Sequence, residues 1–219
     1  MTPPWTATRR STPTPRRNGK GTPFKRPENG AFTPGDKFQQ FFFTVTGDTN
    51  ATSVENNTAG GWGAIMELDQ SSPSASTGQL SMFYKSDEAH SGLDNIAFLG
   101  GSELAAVEDA GDTLHGQRNA LDSGYAWDIT SDYSDGHAPT RWLAEGRDAS
   151  ATIDAANGGF GKNDGDNEIT GLFVSDGDIS TAGVLGTHKP DLKANGMQTW
   201  RWFYTQQHGD NSTYEVALR

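Results

Sequence analysis

The chain has 219 residues, a formal net charge of −11, 27 glycines and no cysteine. So acidic a chain lacks the basic face that nucleic-acid binding requires. The lack of cysteine excludes disulfides, thiolate metal centres and cysteine nucleophiles within it, and its apolar runs are far shorter than a membrane-spanning helix.

Residues 1–21 carry Pro, Thr and a set of arginines, Arg9, Arg10, Arg16 and Arg17. They predict a disordered basic lead-in without the apolar core of a signal peptide. Such a lead-in fits a start placed inside a longer gene. Residues 22–219 predict one β domain built from a repeated unit. In the first unit Glu28 opens a strand over 28–32. A second strand over 41–46 leads into the turn Gly47-Asp48-Thr49, and strands over 65–68 and 79–84 follow. In the second unit Asp94 opens a strand over 94–98. A strand over 104–110 leads into Gly111-Asp112-Thr113, and strands over 126–129 and 140–144 follow. In the third, Glu168 opens a strand over 168–173, and an insertion around 183–190 separates it from the next. That strand, 202–208, leads into Gly209-Asp210-Asn211, and a last strand lies over 213–216.

Three features recur in one order: an opening acid, a Gly-Asp turn and a third strand with an acid between apolar neighbours. Those third strands are Met66-Glu67-Leu68, Trp127-Asp128-Ile129 and Tyr214-Glu215-Val216. The apolar-acid-apolar pattern is the period-two alternation of a strand. Four short antiparallel strands over about 60–70 residues make a long-looped propeller blade. The expectation is therefore an all-β partial β-propeller of about three four-stranded antiparallel blades, the last incomplete. A β-sandwich with coincidental turns is the alternative.

In a propeller the first strand of each blade borders the central channel. Glu28, Asp94 and Glu168 would then converge on one mouth of it. Carboxylates gathered there repel unless cations lie between them, and calcium accepts six to eight oxygens in flexible geometry. Asp outnumbers Glu by 19 to 9, in keeping with oxygen-rich sites, although most Asp residues serve as turn residues. Glu108 and Asp109 end the second strand of the middle unit, where the last unit has Gln206-Gln207-His208. They could supply a second layer of ligands or contact a substrate, and a turn-side hydrogen bond is an equal alternative for Asp109 and Gln207. His90, His115, His137 and His188 lie in polar loops without metal-ligand spacing.

At these residues the chain resembles the PhoX-type alkaline phosphatases and their propeller relatives. The segments that carry the resemblance are Lys25-Arg26-Pro27-Glu28-Asn29-Gly30, Leu93-Asp94-Asn95-Ile96-Ala97-Phe98, Val107-Glu108-Asp109, Glu168-Ile169-Thr170-Gly171 and Gln206-Gln207-His208-Gly209-Asp210. Their order agrees from about Thr22 to Val216. The resemblance implies a six-bladed propeller, hydrolysis of a small phosphoester, a calcium and iron cluster held largely by glutamates, and export to the periplasm or beyond. Carried over by position, Glu28, Glu108 and Glu168 are the first metal-ligand candidates, with Asp94 and Asp109 behind them. His208 and Arg118 are candidates to contact phosphate or the leaving group. That family also uses a cysteine as an iron ligand. With no cysteine in this chain, the ligand would belong to blades that the chain does not contain, or the relatives nearest to this chain lack it. A non-catalytic propeller that serves as a binding platform, or an inactive fragment, is the competing function, since a fold does not by itself fix an activity.

Overall fold

The computed structural model describes residues 24–35, 37–47, 61–109, 122–145, 168–175, 201–207 and 212–216. They form eleven strands in three separate antiparallel sheets, with no helix among the described residues. The first sheet holds β1 (Pro27–Phe32), β2 (Gln40–Val45), β3 (Ala64–Asp69) and β4 (Gln79–Lys85) in that spatial order. The second holds β5 (Leu93–Phe98), β6 (Glu103–Glu108), β7 (Asp122–Asp128) and β8 (Thr140–Glu145), again in chain order. The third holds β9 (Glu168–Ser175), β10 (Arg201–Gln207) and β11 (Thr213–Val216), with β10 in the middle. All-β composition, up-and-down order and a three-stranded last sheet match the pattern read from the sequence. No sheet closes on itself among the described residues.

The sheets stack face to face, and the stacking explains which strands alternate. Strand β2 (QFFFTV) is two-sided: Phe42 and Thr44 point at the second sheet, while Phe41, Phe43 and Val45 occupy the opposite face. Strand β6 (ELAAVE) is covered on both sides, and Leu104, Ala105, Ala106 and Val107 are fully buried. Leu104 and Ala106 join Phe42, Ile65, Tyr84, Leu93, Tyr125 and Trp127 in the core between the first two sheets. Ala105 and Val107 pack instead toward Trp202, Tyr204 and Ile169 of the third sheet. A strand with two buried faces has no polar positions to alternate with, and small alanines let neighbouring sheets approach closely. Burial of one such large side chain contributes about 2–3 kcal/mol.

The first strands lie side by side, β1 against β5 and β5 against β9. The Gly47-Asp48 turn read from the sequence begins at a residue in the left-handed region: Gly47 has φ 90°, and a Cβ there would lie 2.4 Å from the Gly61 carbonyl oxygen. Only glycine fits that combination of dihedral and close backbone.

Candidate functional site

Each first strand departs from regular pairing just after its opening acid. On β1 the pairs Pro27↔Val45 and Gly30↔Phe43 enclose one extra residue at Glu28-Asn29. On β5 the pairs Leu93↔Glu108 and Ile96↔Ala106 do the same at Asp94-Asn95. On β9 the extra residue is Thr170, between Ile169↔Gln206 and Gly171↔Thr205. An extra residue bends a strand and re-aims its side chains. The three departures recur at one level of the stack.

Polar side chains tie these segments across the sheets. The hydroxyl of buried Thr44 accepts from the Asn29 amide at 3.2 Å and donates to the Asp94 carbonyl. The Asn95 side-chain amide donates to the Thr170 carbonyl. The first bond joins β2 to β1 and β5, and the second joins β5 to β9. A buried side-chain bond of this kind fixes one relative placement of two sheets, because breaking it strands a polar group.

The carboxylates meet where β1 adjoins β5. Asp94 is half-buried, and its carboxyl is pushed up to about 6, by burial first and by the negative charge of Glu28 second. Arg26 and side-chain hydrogen bonds with Asp109 and Asn95 oppose that rise. The hydrogen bond from Asp109 favours the charged form of Asp94 and so offsets part of the rise that burial causes. Glu28 is exposed, and its Oε1 lies 3.8 Å from Arg26 Nε. An ion pair that open to water contributes little to stability, but it sets a cation beside the acidic group.

Asp94 is therefore joined to Asp109 by a hydrogen bond and feels the charge of Glu28. Glu108 is not part of that group. Its carboxylate is fully buried between the first and second sheets, where Oε1 accepts the Ser91 amide at 2.9 Å and Oε2 the Ser123 amide at 3.0 Å. Adjacent strand residues face opposite ways, so Glu108 faces inward and its neighbour Asp109 reaches Asp94. The Glu108 carboxylate is thus engaged by two backbone amides of its own sheet. Glu168 opens β9 opposite Gln207, one residue before the Ile169-Thr170 segment beside Asn95. Arg118 and His208 lie outside the described residues. Among the described residues no three His, Asp or Glu side chains stand close enough to hold one shared ion.

Sequence reasoning passed over Asn29, Asn95, Thr44 and Arg26. The recurring acid-Asn dipeptides, Glu28-Asn29 and Asp94-Asn95, are the signal that marks the first two. Of the histidines in loops, His90 packs its ring on Tyr125 with centroids 4.8 Å apart and bonds Asp87 through Nδ1 at 3.0 Å. That bond is the leading reason why the Asp87 carboxyl lies below the usual range. A separate open groove of about 400 Å³, lined by Glu103, Asp128, Tyr133 and His137, lies at the other end of β6.

The raised Asp94 value has a testable consequence. The folded state holds the Asp94 proton more tightly than the unfolded chain does. The resulting stabilisation is fully present below about pH 4 and is lost as pH rises through about 6. Asp94→Asn removes that dependence. Relative to wild type it is expected to gain about 1–2 kcal/mol above pH 6 and nothing near pH 4, a figure reduced for partial exposure. Urea unfolding at the two pH values measures the gain, and an equal difference at both would exclude Asp94 as its source.

No protein-family model, no curated protein and no solved structure matches this chain.

Proposed function

We propose that the three sheets are consecutive blades of a β-propeller, with β1, β5 and β9 innermost, and that the chain belongs to a metal-dependent phosphoester hydrolase of the PhoX-like kind. The observation that carries this reading is the half-buried Asp94, hydrogen-bonded to Asp109 and beside the charge of Glu28, where two first strands depart from regular pairing. Side chains held in mutual repulsion at bulged strands mark sites that do chemistry more often than sites that only stabilise.

The donor set fits a hard cation in kind, since every donor is a carboxylate oxygen. It does not reach a full coordination sphere among the described residues, and Glu168 is the proposed source of further oxygens. Calcium bound there would neutralise phosphoryl charge and polarise the attacking oxygen. Arg26, on the rim beside Glu28, is placed to hold a non-bridging phosphate oxygen by a charge-assisted hydrogen bond. His208, by its position in the repeat, and Arg118, by its position after the Gly111-Asp112 turn, keep the substrate-contact roles proposed for them, and iron and export belong to the same proposal.

A second reading, a non-catalytic propeller that binds a partner, is favoured by one observation: Glu108, a leading ligand candidate by resemblance, is given over to backbone amides. Hydrolysis of p-nitrophenyl phosphate with and without calcium separates the two. The enzyme reading expects calcium-dependent turnover that falls at least about 100-fold in Glu28→Gln and in Glu168→Gln, the loss typical when a metal ligand or its support is removed. Turnover no greater with calcium than without it would leave the binding platform.

A further inference from the structure

We propose that the basic segment leading into Phe24, residues 13–23, lies extended across the outer face of the first sheet and is held there by its prolines and arginines. That contact is independent of the phosphoester reading and of any further blades.

The outer face is apolar and covered at one end only. Strand register puts Phe32, Phe41, Phe43, Leu68, Leu80 and Met82 on the side turned away from the second sheet. At the covered end Phe24 stands edge-on to Phe43, with ring centroids 5.4 Å apart, and both pack on buried Val45, Ala64 and Met66. Toward the other end Phe32 is 45% exposed, Leu80 43% and Met82 48%. The rings form one row, from Phe24 through Phe43, Phe41 and Phe32 to Phe38, with successive centroids 4.8 to 6.1 Å apart. Lys85, the one charged side chain in register on that side, lies at the Phe24 end. Contiguous apolar surface of this kind marks a place of association.

Attachment, reach and chemistry select the occupant. Phe24 already belongs to this face, so the residues just before it start on the face and need not find it by diffusion. Such a tether raises the local concentration of a weak binding segment. Crossing from β2 to β4 takes about 10 Å, and the step along the strands from the level of Met82 to that of Leu80 about 7 Å. Residues 13–23, extended at about 3.1 Å each, reach about 34 Å. The segment carries Pro13, Pro15 and Pro23, and between them Arg16, Arg17 and Lys20. Proline holds a chain extended at little entropic cost, and its ring suits aromatic surfaces. An arginine guanidinium stacks on aromatic faces. Residues 1–23 hold five of the chain's 17 basic residues and none of its 28 acidic ones, so the acidic remainder attracts them at long range. A segment too polar to build a core of its own can still be ordered by a surface that it binds.

The chain has no cysteine, so Thr14→Cys offers a unique attachment point for a nitroxide in the full-length chain. The readout is the NMR signal of the Met82 methyl group, with a dispersed Met66 methyl signal in the reduced, diamagnetic sample as the check on folding. The nitroxide is expected to abolish the Met82 signal, and its chemical reduction to restore it. Leu80→Lys, a substitution at an exposed position beside Met82, should restore the signal with the nitroxide still active, because the added charge repels Arg16 and Arg17 and breaks the apolar contact. Isotope-labelled wild type mixed with unlabelled, nitroxide-bearing chain should keep its Met82 signal, since the contact is made within one chain. A Met82 signal that the nitroxide leaves unchanged overturns the proposal. So does a loss as complete in Leu80→Lys as in its parent, which would seat the segment elsewhere. Loss of the signal in the mixture also overturns it, by showing that the segment covers a second copy.

Discussion

Glu108→Ala is expected to cost about 3–5 kcal/mol of folding stability, the range for breaking a buried, hydrogen-bonded charge. The Glu108 carboxylate is fully buried and receives two backbone amides, Ser91 at 2.9 Å and Ser123 at 3.0 Å. Ser91 lies just before β5 and Ser123 in β7, so one side chain at the end of β6 joins three strands of the second sheet. Truncation leaves both amides buried without their acceptor and opens a cavity. Glu108→Gln should cost less, about 2–3 kcal/mol, because its amide nitrogen can face only a donor on one side. Urea unfolding in calcium-free buffer provides the measurement. A loss below about 1 kcal/mol for the alanine variant would mean that those amides do not depend on Glu108.

Trp127→Ala is expected to cost a comparable 3–5 kcal/mol, and Trp127→Phe under about 1.5 kcal/mol. The Trp127 ring is fully buried in the core between the first and second sheets, edge-on to Tyr84 at 5.2 Å and Tyr125 at 6.2 Å. Its indole Nε1 is buried without a hydrogen-bond partner among the described residues. An unpaired buried donor costs free energy; both variants remove it, but phenylalanine keeps most of the ring volume while alanine leaves a large cavity. Thermal unfolding of the two variants side by side tests the contrast. Equal losses would mean that the ring volume at this position does not carry the stability.

Much of this architecture was legible in the sequence because its determinants are local. A Gly-Asp turn after a β-rich run marks a strand end, and the φ of 90° at Gly47 shows why glycine stands there. Third strands such as Met66-Glu67-Leu68 announce a strand by their alternation. The site was harder to read, because it depends on parity and on register. Glu108 and Asp109 are adjacent, and which of them turns inward is settled by the pairing of Leu93 with Glu108, a non-local fact. The extra residues at Glu28-Asn29 and Asp94-Asn95 shift the facing of the acids, and regular alternation does not anticipate such a shift. Thr44 reads as an ordinary strand threonine, and only the stacked sheets show its hydroxyl reaching the Asp94 carbonyl.

Calorimetric titration of calcium into the chain at neutral pH is the most direct measurement of whether oxygens distant in sequence act as one cation site. Saturable heat is expected for wild type and for Asp135→Asn, whose carboxylate accepts the His137 amide and faces the His137 ring in an exposed loop. The heat should vanish in Asp94→Asn. Absence of saturable heat in wild type, or binding undiminished in Asp94→Asn, would contradict a cation site at the junction of β1 and β5.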